Sequence, residues 1–232
     1  MGRKELPNKK EAQNNEADFG QEKSGAGKKN SGFSDKLSAV VKFIFGILLL
    51  PFVYTATNNF LIEFSQIDAG LQNYFWSGAV GFLLVYFFLW EPQIIYNKGH
   101  SLLEESFSFF QPLVKFAPYL FPIYAILLAL VYAGLSLTIK SEWLIEYFLV
   151  LFGFAVVLHL VFAGKSLRGK KGDLLKANYI FSFSFIYLVN LLLIALIFSL
   201  IFDKFSWVNF CNDSFLQAKT IFEAVFRQLF VP

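Results

Sequence analysis

The chain has two histidines, His100 and His159, in 232 residues. His100 stands four residues before Glu104, a spacing that sets both side chains on one face of a helix. Imidazole and carboxylate together are donors that zinc takes. Asp173 supplies a further carboxylate, and His159 stands within a long uncharged run. Polar or ionisable groups at membrane depth are costly and mark candidate sites. His100, Glu104, His159 and Asp173 are therefore the candidate metal ligands, with zinc as the metal. The competing reading of either histidine is structural, a ring bonded to a carbonyl or a lipid phosphate. Asn190, deep in another uncharged run, reads as an interhelical hydrogen bond. Cys211 is the one cysteine, which excludes an intrachain disulfide and reads as a buried or interfacial thiol.

These groups must be held by elements of a particular kind. The chain is 56% hydrophobic, 19% aromatic and 16% charged, against about 25% charged in soluble domains. Uncharged runs cover 43–62, 69–90, 116–139, 147–164 and 177–202, lengths of 20, 22, 24, 18 and 26 residues. A hydrocarbon layer of about 30 Å needs about 20 apolar residues of helix. The expected fold is all-α, a polytopic membrane bundle of about five transmembrane helices over 37–202, followed by an amphipathic helix in 203–232. A cytosolic globular protein is excluded.

Lys and Arg are unevenly shared between the two sides such a bundle defines. With Lys42 and Lys115 set aside as span-end residues, one side receives eight in residues 1–36, one in 91–115 and five in 165–176; the other receives none in 58–74, one at Lys140 and three in 203–232. Basic short loops stay cytoplasmic, so the N-terminus is expected inside and the C-terminal segment outside, in a bacterial plasma membrane. His100, Glu104, Asp173 and the near end of the His159 run then share the cytoplasmic face. The loop Lys165-Ser-Leu-Arg-Gly-Lys-Lys171 is the strongest determinant. It lacks the upstream glycine of a phosphate loop, since His159 stands there.

Residues 1–36 mix eight basic and six acidic residues with almost nothing apolar, the composition of a disordered tail. Residues 91–110 are too polar to span and too apolar for a simple loop, so a surface-lying or re-entrant segment is expected. Pro112, Pro118 and Pro122 crowd the start of the third run and interrupt its helix. From Asp213 to Val231, apolar residues recur at three- and four-residue steps; Asp213 or Ser214 is the expected N-cap. Such a helix after a span is expected in the interface plane, with docking onto a partner as the alternative. The lipid bilayer and other membrane proteins are the expected partners. No nucleic acid is expected, because the basic loop is short and adjoins the membrane.

Tyr96-Asn-Lys-Gly-His-Ser-Leu-Leu-Glu-Glu105 resembles the Gly-His-Glu-x-x-His segment of site-2-protease-like intramembrane zinc metalloproteases. Phe116-Ala-Pro-Tyr-Leu-Phe-Pro-Ile-Tyr124, His159-Leu-Val-Phe, Lys171-Gly-Asp-Leu and Phe181-Ser-Phe-Ser-Phe-Ile-Tyr-Leu-Val-Asn190 are similar to further stretches of that group. The resemblance covers about 77–200. It implies His100 as a first zinc ligand and offers Asp173 as a third. The chain departs from the motif where the chemistry is done: Ser101 stands at the position of the glutamate base, and Glu104 at the second histidine. That glutamate deprotonates the metal-bound water, which serine cannot do near neutral pH. The resemblance therefore implies a pseudoenzyme, a non-catalytic membrane protein acting by binding or scaffolding. Two alternatives stay open: a divergent zinc metalloprotease using His100, Glu104 and Asp173, and a small transporter or channel subunit.

Overall fold

A computed structural model describes residues 31–89, 92–108, 117–167 and 179–230. The chain divides into two compact units, residues 1–41 and 42–232, and the packing below belongs to the second. Seven α-helices are described: α1 (Ser31–Phe64), α2 (Ala69–Leu84), α3 (Gln93–Ser106), α4 (Ile123–Ser136), α5 (Glu142–Leu167), α6 (Tyr179–Ile201) and α7 (Trp207–Phe230). A π turn, Val85–Leu89, extends α2. Among the described residues there is no strand.

Three helices are long and apolar enough to cross a membrane: Val40–Phe64 within α1, then α5 and α6. By the same length and composition, α2 with its π turn and α3 make a fourth candidate if taken as one broken span, the two being bent by 118°. The third uncharged run yields a shorter helix than its 24 residues imply. Pro122 precedes α4, which has 14 residues and a length of about 21 Å. Before it, the turn at 117–120 closes with the Phe121 amide donating to the Ala117 carbonyl at 2.9 Å. Of the tail expected over 1–36, residues 31–36 are helical; residues 1–30 lie outside the described residues.

The contacts fix the directions of the helices. α1 and α6 run the same way: Gly46 meets the Phe181 backbone at one end, and Phe64 stacks on Phe198 at the other, 5.4 Å between centroids. α2 and α5 also run together, Phe75 near Phe152 at 6.4 Å and Tyr86 near Phe162 at 5.9 Å. α4 and α5 form an antiparallel hairpin, with Tyr132 stacked on Phe148 at 4.5 Å.

Helix association inside a bilayer depends on close packing, because lipid tails are as apolar as leucine. The α2–α5 pair meets this through two glycines. An ideal Cβ on Gly78 would sit 1.9 Å from the Val150 carbonyl oxygen, and one on Gly153 would sit 2.2 Å from that of Phe75. Nearby, Phe60, Phe64, Phe75, Phe152, Phe198, Phe205 and Phe210 join five helices in one buried cluster. Its rings meet in stacked and edge-on pairs, geometries worth about 0.5–1.5 kcal/mol each beyond area burial.

The C-terminal helix starts six residues earlier than the Asp213 start expected from periodicity. Ser206, rather than Asp213 or Ser214, caps it: its hydroxyl accepts the Asn209 amide at 3.2 Å. The Ser206 amide donates to the Glu63 carboxylate at 2.9 Å, so an acid from another helix sits at the positive end of α7. Ser214 is instead buried inside α7, its hydroxyl donating to the Phe210 carbonyl at 2.6 Å.

Candidate functional site

The stripe Tyr96, Gly99, His100 and Leu103 recurs at three- and four-residue steps and turns one face of α3 inward. Glycine at 99 permits the approach, since a Cβ there would lie 2.8 Å from side-chain atoms of Ile123 and Tyr124. The Tyr124 hydroxyl donates to the Ile95 carbonyl at 2.5 Å and pins α3 to the start of α4. From α5 come Leu158 and His159, and from the proline-bounded turn come Pro118 and Phe121. Together they enclose about 10 Å³ accessible to the centre of a water molecule, room for a single water.

His100 and His159 both border this cavity. Tyr96 stands between them, its ring centroid 5.9 Å from that of His100 and 6.1 Å from that of His159. His100 Nε2 lies 3.4 Å from Glu104 Oε1 along α3, and its ring meets Tyr119 edge-on at 5.2 Å. His159 is 4% exposed, and its Nε2 lies 3.1 Å from the Tyr119 carbonyl oxygen. A carbonyl only accepts, so Nε2 carries the proton and donates. Asn190 on α6 reaches the same turn, donating to the Leu120 carbonyl at 3.1 Å and to Ile186 at 2.8 Å. Two polar side chains, from α5 and α6, thus hold the carbonyls of Tyr119 and Leu120, which bend at Pro118 and Pro122 exposes.

Asp173 lies outside the described residues. Among the described residues, no three His, Cys, Asp or Glu side chains come together as a metal would need. His159 gives its Nε2–H to a carbonyl, which leaves Nδ1 as the one ring atom able to accept or to ligate. Ser101, at the position of the base in the resembled motif, is exposed on α3 and donates to the Asn97 carbonyl at 3.1 Å. It lies away from the cavity.

A second polar constellation was missed by the sequence reading. Thr55, Asn59 and Glu63 recur every four residues along α1 and all engage α7. The Thr55 hydroxyl donates to the Ser214 carbonyl at 3.0 Å, and Asn59 and Gln217 exchange two amide hydrogen bonds of 3.1 Å each. Phe52 packs on Phe222 with centroids 5.7 Å apart. With Glu63 at Ser206, these contacts run α7 back antiparallel along α1 over four positions. The sequence reading named no cover for α7 within the chain, because periodicity shows that a face is apolar and not what covers it. The polar recurrence at 55, 59 and 63 within an apolar run was the available signal. Cys211 is a half-buried free thiol beside the aromatic cluster.

No family model, curated protein or solved structure matches this chain.

Proposed function

We propose that the chain is a five-pass integral membrane protein of site-2-protease-like ancestry that acts by binding or scaffolding, not by catalysis. The observation that carries this reading is the close packing around His159. Its Nε2–H is spent on the Tyr119 carbonyl, and the cavity it borders admits about one water, too little for a peptide bond and its flanking residues. Ser101, where the resembled family has its base, supports the same conclusion. The five passes are α1, α2, the turn at 117–122 with α4, α5 and α6. Their alternation is supported by α1 running with α6, α2 running with α5, and α4 opposing α5. The bias of Lys and Arg supports a cytoplasmic N-terminus in a bacterial plasma membrane.

The test pairs zinc content of the purified protein with cleavage of membrane-embedded peptides. The proposal expects neither stoichiometric zinc nor cleavage. Zinc and cleavage in the wild type, both abolished by His100→Ala, would replace it with the divergent metalloprotease.

A further inference from the structure

Three helix ends border one groove. Tyr86 lies in the π turn after α2, Lys165 in the last turn of α5, and Tyr179 at the first position of α6. The groove between them holds about 400 Å³, within the roughly 300–1,000 Å³ of ligand sites. Gly164 adds no side chain to fill it. A Cβ there would meet the Phe183 ring at 3.1 Å and the Tyr179 hydroxyl at 3.6 Å. Those two rings stack with centroids 5.7 Å apart and form one aromatic wall.

The lining changes character along the helices. Lys165, exposed, and Tyr179 stand at the mouth. Leu160 and Val161 also line the groove, about 6–8 Å further along α5, and Phe183 lies one turn into α6. In the membrane-spanning reading on which this inference rests, the mouth is at the cytoplasmic surface and the apolar half at acyl-chain depth. Tyrosines collect at headgroup level, and a lysine stem lies along apolar surface while its ammonium stays in the polar layer. A soluble anion would leave the apolar half empty, and a zwitterionic lipid brings its own cation to the lysine. An anionic phospholipid matches both halves, with its phosphate at Lys165 and an acyl chain along Leu160, Val161 and Phe183. The local charge has the complementary sign, since residues 165–176 carry five basic residues and one acidic. Basic pockets between helices on the cytoplasmic side take such headgroups.

We infer that the groove beside Gly164 binds one anionic phospholipid of the cytoplasmic leaflet. Native mass spectrometry tests it on the full chain, delipidated in mild detergent and titrated with phosphatidylglycerol or phosphatidylcholine. Phosphatidylglycerol binds about fivefold more tightly, the effect of one basic residue at a membrane surface. Lys165→Gln abolishes that preference. Lys98→Gln removes a charge exposed on α3, outside the groove, and keeps it. Val161→Trp fills the apolar half and weakens binding of both lipids, with its lipid-free unfolding midpoint reporting that it folds. Excess inorganic phosphate does not displace the lipid. Equal affinity of the wild type for the two lipids, an equal loss in Lys98→Gln, or displacement by phosphate would overturn the site. A carbonate-resistant chain without lipid preference would overturn it and leave the membrane reading intact. Loss from carbonate-washed membranes would overturn both.

Discussion

Asn59 and Gln217 face each other across α1 and α7, each amide donating to the other's oxygen at 3.1 Å. The second Asn59 N–H donates to the Thr55 carbonyl at 2.9 Å, so its donors are all used. Replacing Asn59 with leucine strands the Gln217 amide against an apolar surface. The expected loss of stability is about 1–2 kcal/mol. Asn59→Leu combined with Gln217→Leu should cost less than the sum of the single changes, because neither side then holds an unpaired group. Unfolding in detergent, followed for the four proteins, measures this. Additive losses would show that the two amides act independently.

The glycines divide into two groups with opposite expectations. Alanine at Gly78 or Gly153 drives a methyl into a facing backbone, at 1.9 and 2.2 Å before relaxation. The helices must separate, at a cost of about 1–3 kcal/mol. Gly81 and Gly134 have nothing within 4 Å of the added carbon, so alanine there is neutral or stabilises by up to about 1 kcal/mol. Thermal midpoints of the four alanine variants report the split. Equal losses at all four would remove the close α2–α5 contact as their cause.

Orientation is open to single-cysteine labelling in a Cys211→Ser background. Cysteines at Gln66, Ser141 and Asn209 should react with a membrane-impermeant reagent in intact cells. One at Lys170 should react only after permeabilisation. Reaction at 170 from outside would reverse the proposed topology.

Much of the helical frame was legible in the sequence, for a physical reason. Absence of charge over about 20 residues is itself what the bilayer requires of a helix, so α5 and α6 could be read directly. The pairing of His100 with Glu104 was legible too, because it is local to one helix. Partners distant in sequence were not. His159 binds a carbonyl 40 residues away, and a backbone oxygen leaves no mark in the sequence except through the prolines that free it. The start of α7 was misplaced because the cap at Ser206 draws on Glu63, 143 residues earlier. The third run overstated its helix because a count of uncharged residues ignores what Pro118 and Pro122 do to the backbone.

The central claim is that the histidines hold the bundle together and do no chemistry, and the unfolding midpoint of His159→Gln tests it most directly. A glutamine side-chain amide can supply the same N–H to the Tyr119 carbonyl, but it is a poor substitute for a zinc-binding or proton-transferring imidazole. The account predicts that His159→Gln unfolds close to the wild type, while His159→Leu, which leaves the carbonyl unpaired, loses about 1–3 kcal/mol. Zinc chelation should move neither midpoint. If the glutamine variant falls as far as the leucine variant, and chelation destabilises the wild type to the same level, His159 is a metal ligand and the account is wrong.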